Sequence, residues 1–425
     1  MKNNHSNART VLIIGAGAAG LMAGIRAAEK DPNRQVLIAE RMERPGRKLL
    51  ITGKGRCNVT NCCTIEEFMP NVLTNPRFLY SSLNALSPYE VMGFFEECGV
   101  PLKVERGERV FPVSDHSSDI VNALVQKAKD SGCRFLYNCR IKELLLEQTD
   151  DGQTVRGALT EGGEKILADA VIVATGGKSY PATGSTGDGY QLARQAGHRV
   201  TPLRPSLIPL VCKEKYCRDM MGLSLKNVTL RVVDTQSGKE VFSELGEMLF
   251  THFGVSGPLV LSASCHMQPD KNGSLERYRL YIDWKPALST QQLDARILRD
   301  FEQFINKDFI NSLGQLLPRK AIQPVAKLSG IPFETKINQI TREQRLGLVE
   351  LIKAMPITPV AFRPIEEAIV TAGGVDVAQI NPKTMESKLV SGLYFAGEVL
   401  DVDGYTGGFN LQIAFSTGYA AGQAV

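Results

Sequence analysis

Three glycines, at 15, 17 and 20, separate the apolar run Val11-Leu-Ile-Ile14 from the apolar-periodic stretch Leu21 to Glu29. That order predicts a strand, a tight turn and a helix. Gly15 makes the turn, Gly17 lets a pyrophosphate approach the backbone and Gly20 lets helix and strand pack closely, with Ala16, Ala18 and Ala19 small enough to leave the phosphates facing the helix N-terminus. The chemistry implied is dinucleotide binding. A second short strand, Gln35-Val-Leu-Ile-Ala39, ends in Glu40, about 20 residues on, where a carboxylate can accept ribose hydroxyls. A carboxylate there disfavours an adenosine 2′-phosphate, so FAD or NAD suits this position better than NADP.

Other segments are too rich in glycine to be ordinary core. Arg47 to Asn61 is glycine-rich, basic and polar; Ala168 to Val173 is an apolar strand opening into Ala174-Thr175-Gly176-Gly177; Gly392 to Glu398 repeats that pattern near the C-terminus. Loops at strand C-termini are where open α/β sheets bind ligands.

The elements that must hold these loops read as α/β up to about Arg199. Helical patterns cover Pro76 to Leu86, Tyr89 to Cys98 and Ser118 to Ser131, with strands near Arg134 to Tyr137, Ile141 to Glu147 and Val155 to Thr160. From Pro202 to about Pro364 the texture changes. Leu207 to Val211, Leu225 to Val233, Val241 to Phe242 and Arg279 to Ile282 read as strands, and Thr290 to Asn306, Gln315 to Leu328 and Arg342 to Ala354 as helices. A last helix is expected over Leu411 to Ala424.

The expected division is therefore a first part of one domain over 1–200, an inserted β domain over 201–286 and 356–365, a helical subdomain over 287–355, and the returning second part over 366–425. At 425 residues the chain is long enough for two or three cores. The 49 Lys and Arg nearly balance 45 Asp and Glu, which gives nucleic acid or membrane binding little support. The apolar segment from Val11 to Ala28 is interrupted by glycines and lacks a basic leader, so a cytoplasmic protein is expected. Nine scattered cysteines suit a reducing compartment.

With these residues in view, the chain resembles the BaiN/YhiN family of FAD-dependent oxidoreductases, related to the two-dinucleotide-binding-fold flavoproteins. The resemblance rests on Gly15 to Gly20, Gly46 to Asn61, Ala174 to Tyr190, Phe250 to Pro258 and Gly392 to Asn410. It implies bound FAD, a Rossmann-like FAD domain built from both ends of the chain, and an inserted β-barrel-like domain with a helical one. Proposed activities in the family include bile-acid double-bond reduction and aminoacetone oxidation.

On that footing Arg41, Arg47, Lys48, Gly55, Arg56, Cys57, Asn58, Thr60 and Asn61 are expected around the pyrophosphate and flavin edge, the basic ones for charge and the neutral ones for hydrogen bonds. Asp188 is expected as a helix N-cap near the cofactor. Gly397 and Glu398 stand where related flavoproteins hold a ribityl hydroxyl. Gly407, Gly408, Phe409, Asn410, Leu411 and Gln412 begin the last helix, whose free N–H groups would favour negative charge on the reduced flavin ring. Cys57 and Cys62 carry the spacing of a flavin-linked disulfide, but the family motif ends at Asn61 and no second nicotinamide fold accompanies them.

For proton transfer the candidates are His252, Tyr405 and Tyr180. His5, His116, His198 and His266 show no metal-ligand spacing, and no metal is expected. The expected activity is reduction of an activated C=C bond of a small organic substrate, or its reverse, with NAD(P)H docking transiently as reductant. Two alternatives remain open: an amine or aminoketone oxidase releasing peroxide, and a flavin-bearing RNA-modification accessory or binding protein.

Overall fold

A computed structural model describes residues 9–150 and 152–425. The chain divides into two compact units, one formed by the chain up to Ser206 together with Ile365–Val425, the other by Leu207–Pro364.

In the first unit five strands form a parallel sheet in the order Leu393–Phe395, Ala170–Val173, Thr10–Ile14, Gln35–Ala39, Arg134–Leu136. Thr10–Ile14 is buried almost throughout, as a strand covered on both faces must be. The register aligns the strand ends. Ile14 pairs with both Val173 and Ala39, Val173 with Phe395, and Ala39 with Leu136. Gly15, Glu40, Ala174 and Ala396 therefore all leave the sheet at one carboxyl edge.

Two helices fix that edge in place. Ala18–Lys30 follows the first strand, and Phe409–Ala424 closes the chain, buried nearly all round. They pack backbone to backbone. A Cβ on Gly418 would stand 2.3 Å from the Ala19 carbonyl oxygen, and one on Gly422 would stand 2.3 Å from that of Ala23. The helix starts two residues earlier than the apolar pattern suggested, because Gly407 and Gly408, at φ +126° and +103°, turn the chain directly into it.

The second unit is an antiparallel seven-stranded sheet, ordered Met355–Ile357, Tyr278–Asp283, Ser224–Asp234, Glu240–Phe250, Gly254–Ser256, Leu210–Cys212, Pro359–Phe362. Its two edges are successive pieces of one chain, parted only by Thr358. The sheet thus curls until its edges meet end to end, although no ladder pairs one edge with the other among the described residues. Helices Thr290–Gln303, Arg319–Leu328 and Arg342–Lys353 bury Leu293, Ile297, Val325, Leu348 and Ile352 in the same core as Leu230, Val232, Leu280 and Ile282. Capping boxes start two of them, Ser289 with Gln292 and Thr341 with Gln344.

Two strand expectations change. The run Leu207 to Val211 breaks, because Leu207 is fully buried at φ +57° and so ends one strand at Ser206 before the next begins at Leu210. The strand expected at Val241 to Phe242 instead runs from Glu240 to Phe250, its alternation masked by exposed Ser243, Glu244 and Leu245.

Burial also places a titratable load in the first unit. His198 is buried, with Nε2 on Ser387 Oγ at 2.8 Å and Nδ1 without a partner. Burial depresses its pKa below 6.5. Below the ordinary histidine pKa the unfolded chain takes up a proton that the folded one refuses, so stability present above about 6.5 falls as pH drops. Urea titrations between pH 5 and 7.5 should show that slope flattened in His198→Asn.

Candidate functional site

The glycine loop shows two different uses of one residue type. A Cβ on Gly15, at φ +104°, would lie 2.5 Å from the Ala174 carbonyl oxygen, and one on Gly20 would lie 1.9 Å from that of Gly15. Both positions are required by close backbone approach. On Gly17, at φ −84°, a Cβ would meet nothing within 4 Å. Open space lies over it.

Gly17 is also the N-cap of Ala18–Lys30, with no side-chain cap and no acid in the first turn. The first N–H groups of that helix have no intrahelical acceptor, and the dipole adds positive potential there. An uncapped 13-residue helix facing open space can take an anion.

Glu40 is only 8% exposed. Its carboxylate closes the loop: Ala16 N–H donates to one oxygen at 2.9 Å and Met42 N–H to the other at 2.8 Å. Burial raises its pKa, and those two N–H bonds oppose the rise. Carboxylate lone pairs left free by these N–H groups can accept from a hydroxyl donor.

At the next strand end Thr175 Oγ is buried without a partner, an atom whose desolvation calls for a hydrogen bond. Gly176, at φ +72°, and Gly177 follow. A Cβ on Gly177 would stand 2.7 Å from Glu398 Oε1.

Glu398 itself is engaged by three segments. Lys48 Nζ donates to Oε2 at 2.7 Å, while Ser179 Oγ and Thr371 N–H donate to Oε1 at 3.1 and 2.8 Å. Lys48 also donates to Ser179 Oγ at 2.8 Å. The lysine expected to supply free charge and the glutamate expected to hold a hydroxyl thus neutralise each other across 350 residues. Their side chains are 23% and 18% exposed. Removing one partner of a buried pair costs about 3–5 kcal/mol, and partial exposure reduces that, so Lys48→Met should lose about 2 kcal/mol. Urea unfolding should show Lys48→Met/Glu398→Gln recovering part of the loss.

Several expected cofactor residues are occupied inside the protein. Arg56 donates to both carboxylate oxygens of Glu105 at 2.8 and 3.0 Å and to Asp115 at 3.0 Å, with its guanidinium 4.0 Å from the Phe111 ring centre. Asp188 is the first helical residue and not the cap, which is Gly187. Its carboxylate accepts from Arg140, Arg41 and Thr186, and Arg41 also donates to Thr186. Arg47 pairs with Glu43 at 3.4 Å.

The start of the last helix divides the same way. Gln412 is fully buried; it accepts from Thr60 Oγ at 2.6 Å and donates to the Leu86 carbonyl and Ser416. Asn61 donates to the carbonyls of Gly107 and Gly407, and Asn410 locks the loop through Gly404 and Tyr405. Phe409 packs edge-on against Phe68. Asn58, its amide turned to suit its neighbours, accepts the Gly408 N–H at 3.0 Å. Leu411 is half-buried in the first turn, and no side chain caps this helix.

Gly55, at φ +85°, faces open space and adjoins Lys54, which is exposed at φ +60°. Cys57, at φ +60°, is fully buried, which pushes its thiol up to about 12. Its side-chain hydrogen bond is to Thr52, and nothing joins it to Cys62.

Tyr180 is half-buried at φ +52°, its pKa raised by burial, and Tyr405 is half-buried in the loop pinned by Asn410. Both belong to the first unit. His252 belongs to the second, exposed between two strands, its ring edge-on to Phe253 and its carbonyl accepting from Arg218. Among the described residues no three His, Cys, Asp or Glu side chains stand where they could hold a metal ion; His5 lies outside the described residues. No described helix is long and apolar enough to cross a membrane.

The family described as HI0933-like protein Rossmann domain matches residues 9–424. The chain is 32% identical to the 3-dehydro-bile acid delta(4,6)-reductase of Clostridium scindens, over 97% of this chain and 98% of that one. It is 33% identical, over the same shares, to a protein of Haemophilus influenzae named ribosomal RNA dihydrouridine synthase. Among solved structures, the 3-ketosteroid-delta4-(5alpha)-dehydrogenase of Rhodococcus jostii RHA1 has the same fold at 15% identity, with a TM-score of 0.51, covering 99% of this chain and 98% of that one. The resemblance drawn from five sequence motifs stands, and the chain belongs to the HI0933-like family with a Rossmann-type fold.

Proposed function

We propose that this protein is an FAD-dependent oxidoreductase that reduces a C=C bond conjugated to a carbonyl. The observation carrying the cofactor is the open, uncapped helix end over Gly17, beside buried Glu40 and the unpartnered Thr175 hydroxyl. These groups suit a diphosphate, a ribose and a further cofactor oxygen. When bound, FAD supplies the hydride.

The chain's own residues supply the rest. The N–H groups opening Ala18–Lys30 hold the diphosphate charge, and Glu40 accepts ribose hydroxyls. The bare N-terminus of Phe409–Ala424 favours negative charge at the pyrimidine edge of the ring. Lys48, Ser179 and Thr371 orient Glu398 toward the ribityl chain. Tyr180, Tyr405 and His252 are the candidate donors of the proton that must reach the α carbon as hydride reaches the β carbon.

The reaction class draws on two relatives' names. Delta(4,6) reduction of a 3-dehydro steroid and formation of dihydrouridine both add hydride and a proton across a C=C conjugated to a carbonyl. NAD(P)H is the reductant in this reading, and the enzyme is cytoplasmic. Purified protein should carry flavin absorption bands that bleach with NADH or NADPH under nitrogen. A protein that is colourless and cannot be reconstituted with FAD would refute the reading.

A second reading places the C=C bond in a uridine of RNA. It is favoured by the Haemophilus influenzae relative and by the charge of Leu207–Pro364, which holds 21 Lys and Arg against 16 Asp and Glu. Bound RNA would then show a steep loss of affinity between 50 and about 200 mM salt, as phosphate contacts do. Flat salt dependence favours the small-molecule substrate.

A further inference from the structure

The near-balance of charge over the whole chain hides an uneven division. Leu207–Pro364 holds 21 Lys and Arg against 16 Asp and Glu, while the rest of the chain holds 28 against 29. Within that unit six cations are held by carboxylates, Arg345 by Asp294 and Lys353 by Asp283 among them. Four others gather where two helices meet. Lys215 and Arg218 stand three residues apart on the short helix Lys215–Asp219, so they share one side of it. That helix packs against Arg319–Leu328, which opens with Arg319 and Lys320. All four are exposed, and none belongs to an ion pair among the described residues.

Hydrogen bonds tie these cations to two neighbouring turns. Lys320 Nζ donates to the Met221 carbonyl at 2.8 Å, and Arg218 Nε donates to the His252 carbonyl at 3.4 Å. Gly222 N–H donates to the Phe250 carbonyl at 2.8 Å, which sets the turn at Met221 beside the one at His252. A carbonyl partner directs a cation without cancelling its charge. Each turn also offers an uncovered side chain. Met221 is 51% exposed, and the exposed His252 ring is held edge-on to Phe253, 5.0 Å between ring centres.

We infer that this face binds single-stranded RNA, with Lys215, Arg218, Arg319 and Lys320 on phosphates and the His252 ring stacked on a base. Cations without carboxylate partners are free to displace the counterions of a phosphate backbone. An exposed, fixed ring beside them suits an unpaired base, which a lipid headgroup does not present. The inference rests on the reading that places the reduced bond in a uridine of RNA, and it adds the surface that holds that RNA.

The test is fluorescence anisotropy of a labelled oligouridylate titrated with the full-length protein at several salt concentrations. Wild type should bind at about 50 mM salt and lose at least tenfold in affinity by about 200 mM. Arg218→Gln/Lys320→Gln should weaken binding at the lower salt at least tenfold and reduce the slope of log affinity against log salt by about two, about one for each phosphate contact removed. His252→Ala should weaken binding about tenfold with the slope unchanged. Lys239→Gln is the control and should change neither quantity. Lys239 is exposed and likewise outside any ion pair among the described residues, but it lies at the far end of the hairpin Ser224–Asp234 and Glu240–Phe250, strands of 11 residues that span about 35 Å. Binding that ignores the double substitution, or an equal loss in Lys239→Gln, overturns this surface and leaves the uridine reading standing. A wild-type protein that binds no RNA, whether or not it binds phosphatidylserine vesicles, overturns both.

Discussion

Replacing Gly17 by valine is expected to leave the protein folded and strip it of flavin. The backbone there is extended, at φ −84° and ψ −169°, and a Cβ would touch nothing in the protein within 4 Å. The apoprotein therefore has no contact to lose, and its unfolding free energy should stay within about 0.5 kcal/mol of wild type. The space that valine would fill is the one assigned to the diphosphate. FAD affinity should fall about a hundredfold, about 2.7 kcal/mol, measured by flavin fluorescence on titrating apoprotein. Gly20→Ala gives the contrasting result, because its Cβ would stand 1.9 Å from a backbone oxygen and must disturb the fold itself. Unchanged FAD binding in Gly17→Val would move the diphosphate elsewhere.

The second large effect concerns the packing of the first helix on the last. Alanine is better than glycine in a helix by about 1 kcal/mol, so propensity alone predicts that Gly→Ala stabilises. At Gly418 the sign should reverse, because a Cβ 2.3 Å from the Ala19 carbonyl oxygen meets backbone that cannot rotate away. Gly418→Val should lose about 3 kcal/mol, the upper end of ordinary overpacking costs. Gly93 is the control. It lies in the helix Pro88–Glu97 with nothing within 4 Å of its Cβ, so Gly93→Ala should gain up to about 1 kcal/mol. Urea unfolding of Gly418→Ala, Gly418→Val and Gly93→Ala decides between close packing and propensity. The displacement should also reach the anion-binding end, since Ala19 lies in the first turn of its helix.

The glycine loop, Glu40 and the strand-end loops were legible in sequence because their signals are local. An apolar run, a glycine at a fixed offset and a helix period all fall within one short window. The parallel sheet could be inferred from such windows, and the returning C-terminal segment from their repetition. Pairings over long separations were not legible. Nothing near Lys48 announces Glu398, and nothing near Arg56 announces Glu105 and Asp115, so charges that read as available for a cofactor are neutralised in the fold. Gln412 reads as a helix-start polar group and turns out to be a buried bracket between Thr60, Leu86 and Ser416.

Leu207 shows a different limit. Its β-favouring neighbours predict an unbroken strand, yet the chain takes a left-handed turn there, with the side chain fully buried. Tertiary packing overrides the local preference, as it regularly does for strands.

Hydride delivery from this site to a C=C bond conjugated to a carbonyl can be followed in a single turnover under nitrogen, with the protein reduced beforehand by one equivalent of NADPH or by light. A 3-oxo-delta(4,6) bile acid and a uridine-containing RNA are mixed with it separately while the flavin bands are followed. One of them should restore the oxidised bands and yield an equal amount of its saturated product. Bands that return only when oxygen is admitted, with peroxide formed and both acceptors intact, would contradict it.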